Sequence, residues 1–276
     1  MLISIVIPSF NRSDQLIRAV RSVLAQTHTH LELIVVDDGS TDATLERLSH
    51  IQDRRLRFFS QANQGVSRAR NQGIGQSRGK MIALLDSDDC WLPRKLEHQL
   101  RFMREGGFEI CQTDEQWIRQ GRRVNPMQKH AKRSGWIFEP SLELCLVSPS
   151  CVMFSRHCWE SIGPFDESLP ACEDYDLWLR CSLHFPVGFL PRILVRKFGG
   201  HPDQLSRKII GLDVYRLYSL LKIAQTEALS ADKRQALVST LRKRVLRYVQ
   251  GCLKRDKAEE AQRVIALTAG VLGKGG

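Results

Sequence analysis

Residues 79–89 read Gly-Lys-Met-Ile-Ala-Leu-Leu-Asp-Ser-Asp-Asp. A glycine, an apolar run and three carboxylates in four positions follow one another. Residues 80–85 therefore predict a buried strand, with Asp86, Asp88 and Asp89 just beyond its carboxyl end. The same arrangement recurs upstream. Residues 2–7 form an apolar, β-branched run that stops at Pro8, and residues 31–36 precede Asp37-Asp38-Gly39-Ser40. Residues 56–59 predict a third short strand. The segments between them have a helical period. Residues 13–26 carry Leu16, Ala19, Val20, Val23 and Leu24 on one face, with Ser13 as the expected N-cap. Helices are also predicted over 41–51, capped by Ser40 or Thr41, over 66–76, and over 91–104 with Pro93 in the first turn. Repeated strand–helix units imply a parallel sheet with helices on its faces. Ligands of such sheets bind beyond the carboxyl ends of the strands. That rule singles out residues 8–11, 37–40 and 86–89.

Each polar cluster has more than one chemical use. Three carboxylates at 86–89 repel one another unless a cation sits among them. A hard divalent ion such as Mg or Mn suits such oxygen ligands and can bridge to a diphosphate. A solvated acidic turn capping the next helix has the same composition. Asp37 and Asp38 can accept hydrogen bonds from a base or ribose, or serve as turn residues. Arg68 and Arg70 are two apart on a helix and cannot share one face, so one can meet a diphosphate while the other is solvated. Glu173-Asp174-Tyr175-Asp176 opens a helix, where carboxylates favour the dipole. A carboxylate there that lines a cleft could act as a general base. Trp178 reads as core packing. His201 is alone uninformative, although imidazole is a good ligand for Mn. The basic stretch 121–135 reads as a mobile loop.

Composition narrows the classes. The chain has 276 residues, 42% of them apolar, which excludes general disorder. No apolar run approaches the roughly 18 residues of a membrane span. No basic segment precedes the first apolar stretch, so a signal peptide is not expected and a cytoplasmic location is. None of the eight cysteines is spaced C-x-x-C, which argues against zinc-finger and thioredoxin-like readings and for small buried core residues. The net charge of +11 calls for an acidic partner. Nucleic acid is a poor choice, because the basic residues are not interleaved with aromatics. A nucleotidyltransferase is also disfavoured, because residues 8–14, PSFNRSD, lack a glycine-rich loop.

The series SIVIPSFNR, LIVVDDGSTD, NQGVSRARNQGI, GKMIALLDSDD, GPFDESLPACEDYDLWLR and HPDQLS resembles the family 2 glycosyltransferases, inverting enzymes of the GT-A fold. The resemblance spans residues 2–207. It implies an α/β, Rossmann-like, mostly parallel sheet flanked by helices, with a C-terminal helical extension. Residues 1–105 would be the nucleotide-sugar-binding half, 106–205 the acceptor and catalytic-base half, and 206–276 a basic helical extension. By the same resemblance, Pro8 and Asn11 would line the nucleotide pocket, and Asp38, with Asp37, would hold the uracil or ribose. Arg70 would lie near the nucleotide. Asp86 and Asp88 would hold the donor and a divalent metal, Mn or Mg, with His201 completing the metal site. Asp174 would be the catalytic base, supported by Glu173. The implied reaction moves a sugar from a nucleotide-sugar donor, a UDP-sugar first, to a hydroxyl of a glycan or lipid-linked acceptor, as in polysaccharide or cell-envelope biosynthesis. The alternative is a non-catalytic nucleotide- or glycan-binding protein on the same fold.

The charge is unevenly placed. Residues 206–276 hold 15 Lys+Arg against 6 Asp+Glu, and the rest of the chain is only +2. Leu237, Leu241, Val245, Val249 and Leu253 mark an apolar stripe, with Arg242, Lys243, Arg244 and Arg247 beside it. Two readings stay open: a solvated basic face on helices packed against the front domain, or a surface that docks peripherally on the inner face of an anionic membrane.

Overall fold

In the computed structural model, which describes residues 1–125, 130–200 and 211–273, nine strands form one mixed sheet. They are β1 (Ile3–Ser9), β2 (Leu31–Asp37), β3 (Leu56–Ser60), β4 (Met81–Leu84), β5 (Cys90–Trp91), β6 (Ile110–Arg119), β7 (Arg122–Val124), β8 (Val152–Ser155) and β9 (Val187–Gly199). Their spatial order is β3-β2-β1-β4-β8-β6-β9-β5, with β7 paired to β6. The first four strands are parallel, in the register Ile3↔Leu31 to Ser9↔Asp37 between β1 and β2. Beyond β4 the sheet is mixed: β8 is antiparallel to both β4 and β6, and β9 runs parallel to β6.

The front helices are α1 (Ser13–Leu24), α2 (Thr44–Ser49), α3 (Val66–Gly75) and α4 (Lys95–Gly106). They cover both faces of the parallel strands, so β1, β2 and β4 are buried along their whole length. Alternate residues enter separate cores. Ile5, Ile7, Leu33 and Val35 pack with Leu16 and Val20 of α1, while Val6, Ile82 and Leu84 pack on the opposite face with Ile74 of α3. Gly73 allows α3 to lie close to β1: a β-carbon there would stand 2.4 Å from Val6 Cγ1.

Several local expectations change. The helix predicted from residue 91 begins at Lys95, because Trp91 is a strand residue paired with Val195 of β9. Its indole Nε1 donates to the Ser150 carbonyl at 2.8 Å. Ser13 lies inside α1 and Thr41 outside α2. Asp42 serves both helix starts, its Oδ2 accepting from Ser13 N and its Oδ1 from Thr44 N, each at 3.0 Å. The stretch 121–135 contains β7 and, at Gly135, an isolated bridge to Val187. Within it Lys132 is buried, its Nζ 2.9 Å from Glu115 Oε2.

The second half adds α5 (Phe138–Ser141), α6 (Arg156–Ile162) and α7 (Glu173–His184), followed by α8 (Leu212–Thr226), α9 (Ala231–Leu253) and α10 (Ala258–Leu272). The last three share a core with α7 and α5, in which Tyr175, Leu179 and Phe138 meet Leu217, Leu220, Leu237, Leu241 and Val264. Leu253, the end of the predicted stripe, is 57% exposed. Arg244 leaves the basic face expected of it. It is buried, donating to Asp213 Oδ1 at 3.0 Å and to the carbonyls of Leu142 and Glu143. Lys222 fastens the same junction, 2.7 Å from Asp166 and 2.6 Å from the buried Asp176. The cysteines are free thiols, five of them buried. Trp178 is a core residue packed on Phe154 and Phe165. Among the described residues, no helix is long and apolar enough to cross a membrane.

Candidate active site

The loops after β1, β2 and β4 and the start of α7 enclose a cleft of about 760 Å³, within the range of small-ligand sites. Pro8 comes from β1, which runs past it to Ser9, Asn11 and Arg12 from the loop that follows, Asp38 from the second loop, and Asp86 and Asp88 from the third. Glu173, Asp174 and Tyr175 come from α7, Lys197 from β9, and Leu212 and Arg216 from α8.

The strand-end loops are tied to one another. Asn11 has φ 50°, and its side-chain Oδ1 accepts from Thr41 N at 2.7 Å, while its own N–H donates to Ser40 Oγ at 2.8 Å. It lines the cleft while clipping the first loop to the second. Asp38 accepts from Gln64 N and Gly65 N, both at 2.9 Å, and from the Gln61 side chain. It thereby shapes the loop that leads into α3. Gly39, at φ 79°, makes the turn after β2, where a β-carbon would stand 2.9 Å from Asn63 N. Asp37 is fully buried, accepting from Ser40 N and Ser60 Oγ, and is not among the cleft residues.

Arg70 is the centre of the charge arrangement. Its side chain is 4% exposed, with Nη2 donating to Asp86 Oδ1 at 2.8 Å and Nη1 to Glu173 Oε1 at 2.7 Å. Burial alone would lower its pKa, but Asp86, Glu173 and Asp174 together raise it. Arg68, two residues away, lies on the exposed side and pairs with Glu167 at 2.9 Å. Asp86 resists the upward pull of burial and stays below the usual carboxylate range, through Arg70 and Lys197. Asp88 goes the other way: burial and the neighbouring Asp86 push it up, although Arg12 Nη1 donates to it at 2.8 Å. Burial and the like charges of Asp88 and Asp86 push Asp89 up to about 8, against the pull of Lys197. Asp89 faces inward, accepting from Ser150 Oγ and Phe198 N.

Two carboxylates that share a cleft wall, one of them raised by burial and by the charge of the other, suit a hard cation. Mg²⁺ is commonly held by one or two carboxylates together with substrate phosphates. Asp86 and Asp88 fit that pattern. Among the described residues no group of three His, Cys, Asp or Glu forms a complete cage. His201 lies outside the described residues.

At the other wall Cys172, at φ 61°, turns the chain into the first residue of α7. Asp174 Oδ1 accepts from Tyr175 N at 2.7 Å, and Cys145 Sγ stands 3.6 Å from Asp174 Oδ2. Burial and the adjacent Asp174 push the Glu173 carboxyl up, against the pull of Arg70. Asp174 therefore reaches the cleft half-buried, with a guanidinium behind its neighbour.

Pro8, Asn11, Asp38, Arg70, Asp86, Asp88, Glu173 and Asp174 thus come together around one cleft, from segments up to 166 residues apart. Sequence reasoning missed Lys197, Arg216, Cys145 and Cys172. Lys197 sits in the run VRKFGG, whose strand pattern hides a part-buried cation whose Nζ donates to Ser148 Oγ at 3.0 Å. Nothing local marked Arg216 or the two thiols.

Comparison with known proteins bears on the family and the fold. An uncharacterized glycosyltransferase of Rickettsia felis is 34% identical over 223 residues, which are 78% of this chain and 37% of the relative. The chain thus spans little more than a third of that relative's length. A putative teichuronic acid biosynthesis glycosyltransferase, TuaG of Bacillus subtilis, is 43% identical over 160 residues, or 56% of this chain and 62% of the relative. The crystal structure of S. aureus TarS 1–349 in complex with UDP-GlcNAc superimposes with a TM-score of 0.78 at 20% identity, covering 98% of this chain and 80% of that one. That likeness shows a GT-A fold with C-terminal helices. The glycosyl transferase family 2 model matches residues 4–161, more than half of the chain and all three strand-end loops. The chain belongs to glycosyltransferase family 2.

Proposed function

We propose that this protein transfers a sugar from a nucleotide-sugar donor, a UDP-sugar in the first instance, to a hydroxyl of a glycan or lipid-linked acceptor, with inversion and with the help of a divalent metal. The observation that carries this reading is the bridge made by Arg70. One guanidinium holds Asp86, at the end of a strand, and Glu173, next to Asp174 at the start of a helix. Donor-side and base-side carboxylates are thereby fixed around one cleft.

The chain's own residues divide the work. Pro8, Asn11 and Asp38 shape the pocket for the base and ribose, and the Arg12 guanidinium stands where a diphosphate would need positive charge. A divalent ion held by Asp86 and Asp88 would neutralise the charge that grows on the leaving diphosphate. Asp174 accepts the proton of the acceptor hydroxyl as that oxygen attacks the anomeric carbon. The bond to the leaving phosphate breaks in the same displacement, so the configuration inverts and no protein nucleophile is required. Glu173 and Arg70 keep Asp174 in place. The UDP-GlcNAc bound to TarS and the teichuronic acid role in the name of TuaG favour a uridine donor and a surface-glycan acceptor.

A screen of nucleotide sugars with Mn²⁺ or Mg²⁺, scored by nucleotide release, tests this reading. Turnover of one donor, abolished by chelator and by Asp86→Ala or Asp88→Ala, is the expected result. Absence of turnover with every nucleotide sugar would remove the catalytic reading and leave a binding protein on the same fold.

A further inference from the structure

We propose that Arg216, delivered into the cleft by the C-terminal helices, binds a phosphate or carboxylate group of the acceptor beside the hydroxyl that Asp174 deprotonates. The proposal rests on the transferase reading above and names the chemistry of its acceptor.

The first support is position. Arg216 lies in the second turn of α8 and lines the same cleft as Asp174. The helix is held against the start of α7, where Cys172 Sγ stands 3.7 Å from the Leu212 carbonyl. Cys145, within reach of Asp174, also feels the charge of Arg216. The guanidinium therefore stands on the side of the base.

The second support is charge. Among the described residues the cleft is lined by four cations: Arg12, Arg70, Lys197 and Arg216. Arg70 has Asp86 and Glu173, Arg12 has Asp88, and Lys197 lies in the field of Asp89, Glu115 and Asp86. Arg216 has Asp213 Oδ1 at 3.2 Å, and Arg244 takes the same oxygen at 3.0 Å. That carboxylate is 54% exposed and lies three residues away on the same helix. Such surface pairs hold weakly. One carboxylate oxygen is thus shared by two guanidinium groups. Arg244 also has Glu143 at 3.9 Å, whereas Arg216 has no second carboxylate among the described residues.

The third support is an unspent donor. The Nε of Arg216, like those of Arg70 and Arg244, is buried with no hydrogen-bond partner among the described residues, but only the Arg216 side chain is appreciably open, at 24% against 4% and 5%. A buried N–H left in this state is costly, and a turn of the part-exposed side chain toward an arriving oxygen would remove the cost. The Nε–Nη edge of a guanidinium matches the two oxygens of a phosphate or carboxylate. A neutral hydroxyl has no equivalent need of it. The donor diphosphate has Arg12 and the metal carboxylates on the strand-end side, which leaves Arg216 to the acceptor.

The test uses matched acceptor pairs on the full chain: glucose 1-phosphate against methyl glucoside, and glucuronic acid against glucose. With the donor found in the screen, the wild type should favour the charged member of one pair at least tenfold in kcat/KM. Arg216→Gln should bring that preference to within about twofold, chiefly by raising KM for the charged acceptor. Arg216→Lys, which keeps the charge and loses the fork, should fall between them. Arg247→Gln, on the exposed side of α9, should keep the wild-type preference. A response in the phosphate pair alone identifies a phosphorylated acceptor, and one in the carboxylate pair alone identifies a uronate. Equal use of charged and neutral members by the wild type, or a preference that survives in Arg216→Gln, overturns the proposal. Saturation-transfer NMR with the same four compounds reads binding without turnover. If no donor is consumed, the transferase reading fails, and loss of charged-ligand contact in a folded Arg216→Gln or Arg216→Lys still decides the role of Arg216.

Discussion

The strand-end wall of the cleft and its helical wall hold their charges differently. On the strand side Asp38 accepts three hydrogen bonds from one loop, Asn11 clips two loops together, and Arg70 is bound at both ends. On the helical side Asp174 has one neighbouring N–H and a thiol at 3.6 Å, and Arg216 has a single carboxylate, itself 54% exposed. β1, β2 and β4 deliver their loops from a buried core, so the charged groups there can be matched to fixed partners. The helical wall is assembled from distant segments, and its charged groups have fewer partners. On the proposed function, the strand-end wall would be the preformed donor site and the helical wall the one that meets the acceptor.

The sharpest way to break that division is Asp174→Asn. Turnover should fall by about 10³-fold, within the range for loss of a positioned base, while the donor dissociation constant measured by calorimetry changes less than about twofold. A parallel loss of donor affinity would mean that the two walls do not act separately. Next in size is Arg70→Met, which leaves Asp86 and Glu173 without their shared partner. Denaturant titration should show a loss of about 3–5 kcal/mol, the usual result of stripping one member from a buried ion cluster. A smaller loss would show that the strand side is less fixed than its hydrogen bonds indicate. Leu241→Ala, in the core shared by α9 and α7, should cost about 2–4 kcal/mol. It should lower the midpoint of one cooperative transition. Two separated transitions would make the helical wall an independent unit.

The smallest effect is a pH dependence at the seam. Lys222 leads the groups that hold the Asp166 carboxyl down at about 2, overcoming a partial burial that would raise it. An ordinary aspartate titrates near 3.9. Because the folded value is the lower one, the stabilisation is complete above about pH 4 and is lost as pH falls toward about 2. Roughly 1 kcal/mol is expected once solvent screening is allowed for. Lys222→Met should flatten the stability profile between pH 4 and pH 2, and an unchanged profile would remove this contact from the seam.

The same contrast governs what could be read from the chain. The β1 to β4 units were legible because each apolar run, turn and helical period is local. The carboxylates at 38 and 86 were legible because they follow such elements, and Asp174 because it opens a helix within a motif of the family resemblance. β5 was not, since a two-residue strand exists only through its pairing with β9, about a hundred residues away. Lys132 and Arg244 looked like solvated cations and are buried ones. A charge shows in the sequence, but the remote carboxylate or carbonyl that permits its burial does not. Asn11 and Asp38 were read as ligand contacts, and the structure shows that they also hold loops together.

Gly73 gives these charges a common scale. It stands three residues after Arg70, on the same side of α3, where the helix comes so near β1 that a β-carbon would meet Val6 at 2.4 Å. The depth at which the guanidinium enters the cleft is therefore gauged by bare backbone thickness. A single methyl group at residue 73 would press α3, and Arg70 with it, away from β1.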